Sequence, residues 1–300
     1  GYKNRTQGDA LFPPAGRGVS IARAAHQLGA EAHAIVLIGR DSVGLAYATL
    51  LKESGLPHTI VETTAGTRSN TIIYDSGHDT QTELIEERGE VSADELTLVK
   101  ETMLQIANKD DLILLGGSLS AGIPLDTYYQ FATAAQEIGA RVAVANIYQP
   151  LQETIKAQPE FIALTQQEAE SYFNCPVRSV DDVISVSNSL RQETNGRVLI
   201  QLADKQRALL TTTNGRWLVD ISETDTHGTT TGVWAAMLAG YLTGRISEQP
   251  FEEALELGAA AASYTAAQIG SEFGSAAEVQ EMTDDVSVEA MKRQKANPTA

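Results

Sequence analysis

Residues 34–54 read AIVLIGRDSVGLAYATLLKES, and this stretch decides the fold class. Its first six residues, Ala34–Gly39, are apolar without interruption. Continuous rather than alternating apolarity is what a parallel strand covered by helices on both faces requires. The segment from Gly39 to Gly44 then reads as a tight strand-to-helix turn, and Leu45–Ser54 fits a 3.6-residue period. The local unit is strand, turn, helix.

The unit recurs on both sides. LILLGG (112–117), VAVA (142–145) and VLIQLA (198–203) are further continuous apolar runs. Between and around them, Val19–Leu28, Ala93–Ala107, Asp126–Ile138, Asp181–Thr194, Val233–Leu242 and Glu252–Gln268 carry helical periodicity. Strands alternating with helices predict a doubly wound α/β fold, a mostly parallel sheet flanked by helices. One region breaks the rhythm. TIVET (59–63), NTIIYD (70–75) and TQTELIEE (80–87) alternate in polarity and are punctuated by Gly66, Gly77 and Gly89. They predict antiparallel strands with one solvated face. We therefore expect an α/β core from 13–57 and 91–300, and a small antiparallel β lid from 1–12 and 58–90 that also offers a dimer surface. The polar stretch from about Glu281 is expected to fray unless VSVEAM (286–291) docks.

Composition narrows the function classes. At 300 residues and 42% hydrophobic, the chain can bury a large core. Its formal net charge is −17, so no general positive field draws it to nucleic acid or to an anionic membrane. No apolar run reaches the ~18 residues of a membrane span. A single cysteine, Cys175, precludes an internal disulfide and a cysteine-based zinc site, which points to a reducing compartment such as the cytoplasm. The five histidines are scattered, so no metal is expected.

Three loops could carry chemistry. Residues 39–44, GRDSVG, have the glycine spacing of a phosphate loop, but Leu45-Ala46 stand where Lys and Ser/Thr would be needed, so the segment reads as a turn. Pro14–Ser20 combines Gly16, Arg17 and Gly18 at a helix start; it is either an anion cradle or a plain capped helix. Asp225–Gly232 sets four threonines and two glycines before another helix and is open to the same two readings.

In order along the chain, AGRGVSIARAAHQLG (15–29), IGRDSVG (38–44), TRSN (67–70), GSLSAGIP (117–124), the glutamate of TQQE (165–168), DTHGTTTGVWAAMLAG (225–240) and LGAAAASYTAAQIG (257–270) resemble the PfkB (ribokinase-like) carbohydrate kinases, in their phosphofructokinase and tagatose-6-phosphate kinase branch. The resemblance runs from about Phe12 to about Ser271. It implies a ribokinase-like core and transfer of the ATP γ-phosphoryl to a sugar hydroxyl. Members usually begin with a strand and a substrate-gripping Asp upstream of this point, so the chain is expected either to be truncated before Gly1 or to lack that element.

The resemblance also marks departures. The family's GAGD motif supplies backbone amides for developing charge and an Asp as general base. It falls on Gly228, Thr229, Thr230 and Thr231. A threonine at 231 cannot accept a proton near neutral pH, and branched residues at 229 and 230 crowd the anion hole. Losing a base typically costs ~10²–10⁴ in rate, and losing an anion-hole donor ~10²–10³. On the nucleotide and magnesium side, the Asn of NxxE falls on Thr165 while Glu168 is kept, and the preceding Lys-Pro falls on Ala163-Leu164. The D-[ST]-S-G segment falls on Ala145, Asn146, Ile147 and Tyr148, and LGxxG on Leu202–Gln206. Gly270 is also assigned to this side. On the sugar side Gly16, Arg17, Gly18 and Ser20 stand for GGKGVN, with the charge kept as Arg17, and Arg68 keeps the TR motif that faces the sugar phosphate.

The expectation is a PfkB homologue that has lost phosphoryl transfer, a pseudokinase. It would bind a phosphosugar and act as a homodimer or as a subunit of a larger assembly. It would need no cofactor, or Mg-ATP if activity is retained. The alternative is an active ATP-dependent phosphofructokinase-like sugar kinase with a rearranged site, using Asp225 or His227 as base. A third reading is a structural subunit without a ligand.

Overall fold

The computed structural model describes residues 10–75, 78, 80–87, 89–120, 122–145, 147–194, 196–204, 206–221, 231–268 and 270–291. The first third contains α1 (Arg17–Gln27), β1 (Ala34–Gly39), α2 (Ser42–Glu53), β2 (His58–Thr63), β3 (Asn70–Asp75), β4 (Thr80–Ile85) and α3 (Ala93–Ile106). The middle holds β5 (Leu112–Gly116), α4 (Thr127–Glu137), β6 (Arg141–Ala145), α5 (Leu151–Thr154), β7 (Phe161–Thr165), α6 (Gln166–Phe173) and α7 (Val180–Thr194). The last part adds β8 (Arg197–Gln201), β9 (Arg207–Thr211), β10 (Arg216–Asp220), α8 (Val233–Ile246), α9 (Phe251–Ala266), α10 (Ala276–Gln280) and β11 (Ser287–Met291).

The main sheet has seven strands in the order β11-β10-β9-β8-β7-β6-β5. β5 to β8 run parallel, joined by helical crossovers, and β8 to β11 are antiparallel. The sheet is therefore mixed. Along each strand the side chains alternate between two buried faces. Val142, Val144, Ile162, Leu164, Val198 and Ile200 pack with Phe131, Leu151 and Leu190 of α4, α5 and α7. Ala143, Ala145, Phe161, Ala163 and Leu199 pack on the other face with α1, α8 and α9. Both faces are covered, which is why these runs are apolar throughout. The helices α8 and α9 approach closely at Gly240 and Gly258. A Cβ on Gly240 would stand 2.6 Å from the Leu257 carbonyl oxygen, and one on Gly258 2.7 Å from that of Met237.

The structure corrects one reading and adds to another. TIVET lies in β2, which pairs parallel with β1 from Ala34↔His58 to Gly39↔Thr63, rather than in an antiparallel lid. Its alternation has a different cause: Val61 and Thr63 are buried, Glu62 is exposed, and the helix α2 makes the crossover that returns the chain parallel. Only β3 and β4 form the antiparallel hairpin. Strands β7, β9 and β10 lie where the sequence pattern singles out none. FIALT in β7 is a short buried run, and β9–β10 turn back within four residues at Thr212–Gly215. VSVEAM does dock, as the edge strand β11 antiparallel to β10. Among the described residues no helix is long and apolar enough to cross a membrane.

Candidate functional site

The loops at the carboxyl ends of parallel strands are where α/β sheets bind ligands. Here the carboxyl ends of β5, β6 and β7 lie side by side, with Gly117, Tyr148 and Thr165 at or just beyond them. Gly117, just past β5, has φ 93°, and a Cβ built on it would be 3.7 Å from Arg17 Cβ. The first residue of α1 thus stands over the end of β5. The N-cap of α1 is Gly16, with φ 130° and no side-chain capping bond, and the space around Gly16 and Gly18 is open. Ser20 is not the cap; it lies inside the helix and its amide donates to the Gly16 carbonyl (2.8 Å). Backbone amides without a side-chain cap, beside a cation, leave the anion-cradle geometry in place. The segment before α1 is tied down: Arg23 donates to the Pro14 carbonyl and Tyr47 to that of Ala15.

Arg68 is half-buried on the loop between β2 and β3. A small latch sets that loop. The Asp41 carboxylate caps α2, accepting the Gly44 amide (2.6 Å) and the Thr67 amide (2.7 Å), and the Gly39 amide donates to Thr67 Oγ1 (2.8 Å). These bonds hold the Asp41 carboxyl below its ordinary range, Gly44 contributing most. The approach needs glycine: a Cβ on Gly44 would sit 2.1 Å from the Gly39 carbonyl oxygen. Asp41 before a helix is a legible cap signal, but its second role on Thr67 spans 26 residues and leaves no local mark.

Beyond β7, Thr165 and Glu168 form a capping box for α6. Glu168 Oε2 accepts the Thr165 amide (2.8 Å) and hydroxyl (3.0 Å), and Glu168 is 2% exposed. The pair is thus engaged in starting a helix. Ala145 and Ile147 are fully buried, and Tyr148 emerges beyond them with a left-handed backbone. Burial, reinforced by the Glu168 charge and opposed by that of Arg17, raises the Tyr148 phenol above its ordinary value.

The turn at 202–206 is filled by its own side chains. Asp204 accepts the Gln206 and Arg207 amides and pairs with Arg207 Nε (2.7 Å). Asp204, Asp220, Asp284 and Asp285 line a cavity of about 660 Å³ beside it, with Arg207 already paired. Thr231 is half-buried immediately before Gly232, which caps α8 with φ 92° and packs against Ser271 and Phe273; Gly270, with φ 83°, is next to that contact. Asn146, Lys205, Asp225, His227, Gly228, Thr229 and Thr230 lie outside the described residues. Cys175 is exposed after α6, away from this edge. Among the described residues no three His, Cys, Asp or Glu converge as a metal site.

Oε2 of the one retained acid is committed to a helix cap, the 202–206 turn has no glycine, and the adjoining cavity walls are acidic, which opposes a triphosphate.

Comparison with known proteins agrees with the architecture. The family model for pfkB family carbohydrate kinases matches residues 2–277. The 1-phosphofructokinase of Bacillus subtilis (strain 168) is 25% identical over 288 residues, covering 96% of this chain and 92% of that protein. Phosphofructokinase-2 from Escherichia coli, in its tetrameric inhibited form, superposes with a TM-score of 0.83 at 23% identity, over 94% of this chain and 92% of that one. Its complex with fructose-6-phosphate gives 0.79 at 24% identity, over 91% and 88%.

Proposed function

This chain belongs to the PfkB family of carbohydrate kinases, and from that premise we propose that it holds a sugar phosphate but no longer transfers phosphoryl groups. The carrying observation is Thr231, a hydroxyl at the position where the family places its carboxylate base. No step of transfer can begin there without another proton acceptor. Two features support the same reading: the Thr165–Glu168 pair serves as a helix cap, and the turn at 202–206 borders an acidic cavity. The sugar-phosphate end keeps its means of recognition. Arg17 and the amides at the start of α1 supply charge and donors for a phosphate, and the Asp41–Thr67 latch fixes the loop that carries Arg68. The Escherichia coli relative complexed with fructose-6-phosphate makes that sugar phosphate a reasonable probe.

We further propose a homodimer formed through the lid. In the β3–β4 register, Ile73 and Leu84 share one face, and Ile72, Tyr74 and Ile85 the other. Ile72, Ile73, Leu84 and Ile85 are all exposed. A two-stranded ribbon with apolar residues on both faces is marginal alone, so covering one face with a partner stabilises it. The tetrameric form described for the Escherichia coli relative is consistent with association.

Calorimetric titration of the whole chain tests the central reading. Magnesium-ATP should give no binding heat up to millimolar concentration, whereas fructose 6-phosphate should bind, and Arg68→Glu should abolish that binding. Micromolar nucleotide affinity with turnover would overturn the loss of transfer and favour a rearranged active kinase using Asp225 or His227. Phosphosugar affinity unchanged by Arg68→Glu would overturn the binding role of the lid loop.

A further inference from the structure

Arg68 stands between two captured amides. The Thr67 amide donates to Asp41 Oδ2 (2.7 Å), and the Ser69 amide donates to Glu86 Oε2 (2.8 Å). The two acceptors come from different parts of the fold. Asp41 is the N-cap of α2, whereas Glu86 follows β4 on the antiparallel ribbon. The ribbon register explains the second bond. Its last pair is Asn70↔Ile85, so one further step sets Ser69 opposite Glu86 at the mouth of the hairpin. A third carboxylate, Glu95 of α3, takes the Thr64 amide (2.6 Å) at the other end of the same loop. Bonds from amides to carboxylates are charge-assisted and stronger than neutral ones. Simple attraction would draw Asp41 and Glu86 to the guanidinium they flank. Instead Asp41 gives both oxygens to amides, those of Gly44 and Thr67. Among the described residues neither carboxylate forms an ion pair with Arg68. The backbone is thus fixed on both sides of Arg68 while its charge stays available. Glu86 is exposed and caps no helix, so neither burial nor capping accounts for its bond.

We propose that Glu86 is a positioning residue: by holding the Ser69 amide it fixes Arg68 in the orientation in which the guanidinium meets a sugar phosphate. The proposal rests on the reading of Arg68 as a phosphate contact and adds the group that holds Arg68 in place. Glu86 itself touches no ligand. A long arginine side chain on a free loop must be ordered when it binds, and that ordering is subtracted from affinity. Fixing the backbone on both sides moves part of the ordering into folding. The double anchorage also couples two bodies, because Asp41 sets the loop against α2 and Glu86 sets it against the ribbon. One consequence separates this role from plain electrostatics. Glu86 is negative, so on charge alone its removal strengthens binding of an anion nearby. A positioning role has the opposite sign.

The test is titration of the full chain with fructose 6-phosphate, with inorganic phosphate and with unphosphorylated fructose. It uses the wild type, Glu86→Ala, Glu86→Gln, Arg68→Ala and the Glu86→Ala, Arg68→Ala double variant. Urea unfolding in parallel shows that each variant is folded at the titration temperature. Glu86→Ala should weaken both phosphate-bearing probes by about three- to tenfold, the range for ordering one long side chain on binding. Glu86→Gln keeps an oxygen acceptor for the Ser69 amide and should restore most of that affinity. In the Arg68→Ala background, Glu86→Ala should change nothing further, because the group it positions is gone. Fructose should respond to none of the substitutions. If Glu86→Ala binds like the wild type while Arg68→Ala loses phosphate, the positioning role is wrong and the sugar-phosphate reading stands. Tighter binding by both Glu86 variants would also overturn the proposal, leaving the carboxylate as a repelling charge only. So would an equal loss from Glu86→Ala with and without Arg68. If the wild type binds neither phosphate-bearing probe, the sugar-phosphate reading falls and the positioning role with it.

Discussion

Glu95 illustrates how one side chain joins distant segments. Its Oε1 accepts the Thr64 amide (2.6 Å) at the end of β2, and its Oε2 accepts the Ser92 amide (2.7 Å) at the start of α3. Those bonds, Ser92 first, lower its carboxyl from 4.5 to about 2. A carboxylate depressed on folding stabilises fully above its unfolded value and loses that contribution as pH falls through the folded one. The window therefore runs from about pH 4.5 down to about pH 2. Urea midpoints measured across that range should fall less steeply for Glu95→Gln than for the wild type; parallel curves would show that the bonds do not persist in solution. Asp41 works in the same manner on the other side of the loop, binding Gly44 locally and Thr67 at long range.

At the level of elements, the strands and helices form for reasons that are local, and their capping is a place where function and stability divide. Thr165 is the N-cap of α6, accepting the Glu168 amide (3.2 Å). Its replacement by alanine removes a cap, worth ~1 kcal/mol. Asparagine is as good a cap as threonine or better. Chemical denaturation should thus show Thr165→Ala less stable by about 1 kcal/mol and Thr165→Asn equal to the wild type. Equal stability of all three would mean that the capping box carries no net weight. The docking of β11 on β10 belongs to the same scale: it covers an edge that would otherwise expose unpaired amides and carbonyls.

For the whole molecule, the unresolved balance is between the covered main sheet and the uncovered ribbon. The main sheet buries both faces between helices, while β3 and β4 leave Ile73 and Leu84 exposed on one side. Lysines at both positions, Ile73→Lys with Leu84→Lys, should convert the proposed dimer to a monomer in light scattering. The unfolding midpoint at high dilution should stay as it is, since neither residue belongs to the core. An unchanged mass would place the contact elsewhere. The charge of −17 acts at this scale too, because it opposes association unless an apolar surface outweighs it.

The sequence by itself determined the layers: AIVLIG, LILLGG, VAVA and VLIQLA are strands, the periodic segments between them are helices, and NTIIYD with TQTELI is a hairpin. Periods of 2.0 and 3.6 residues are local properties, written directly in the order of apolar side chains. The order of motifs was legible too, and with it the family to which the chain belongs. Strand direction was not legible for TIVET, because whether a chain returns parallel depends on the helix it crosses rather than on its own alternation. Nor was the link from Asp41 to Thr67 or the left-handed backbone at Tyr148. Each of these joins residues through space or through a backbone angle imposed by buried neighbours, and such relations exist only once the core has closed around them.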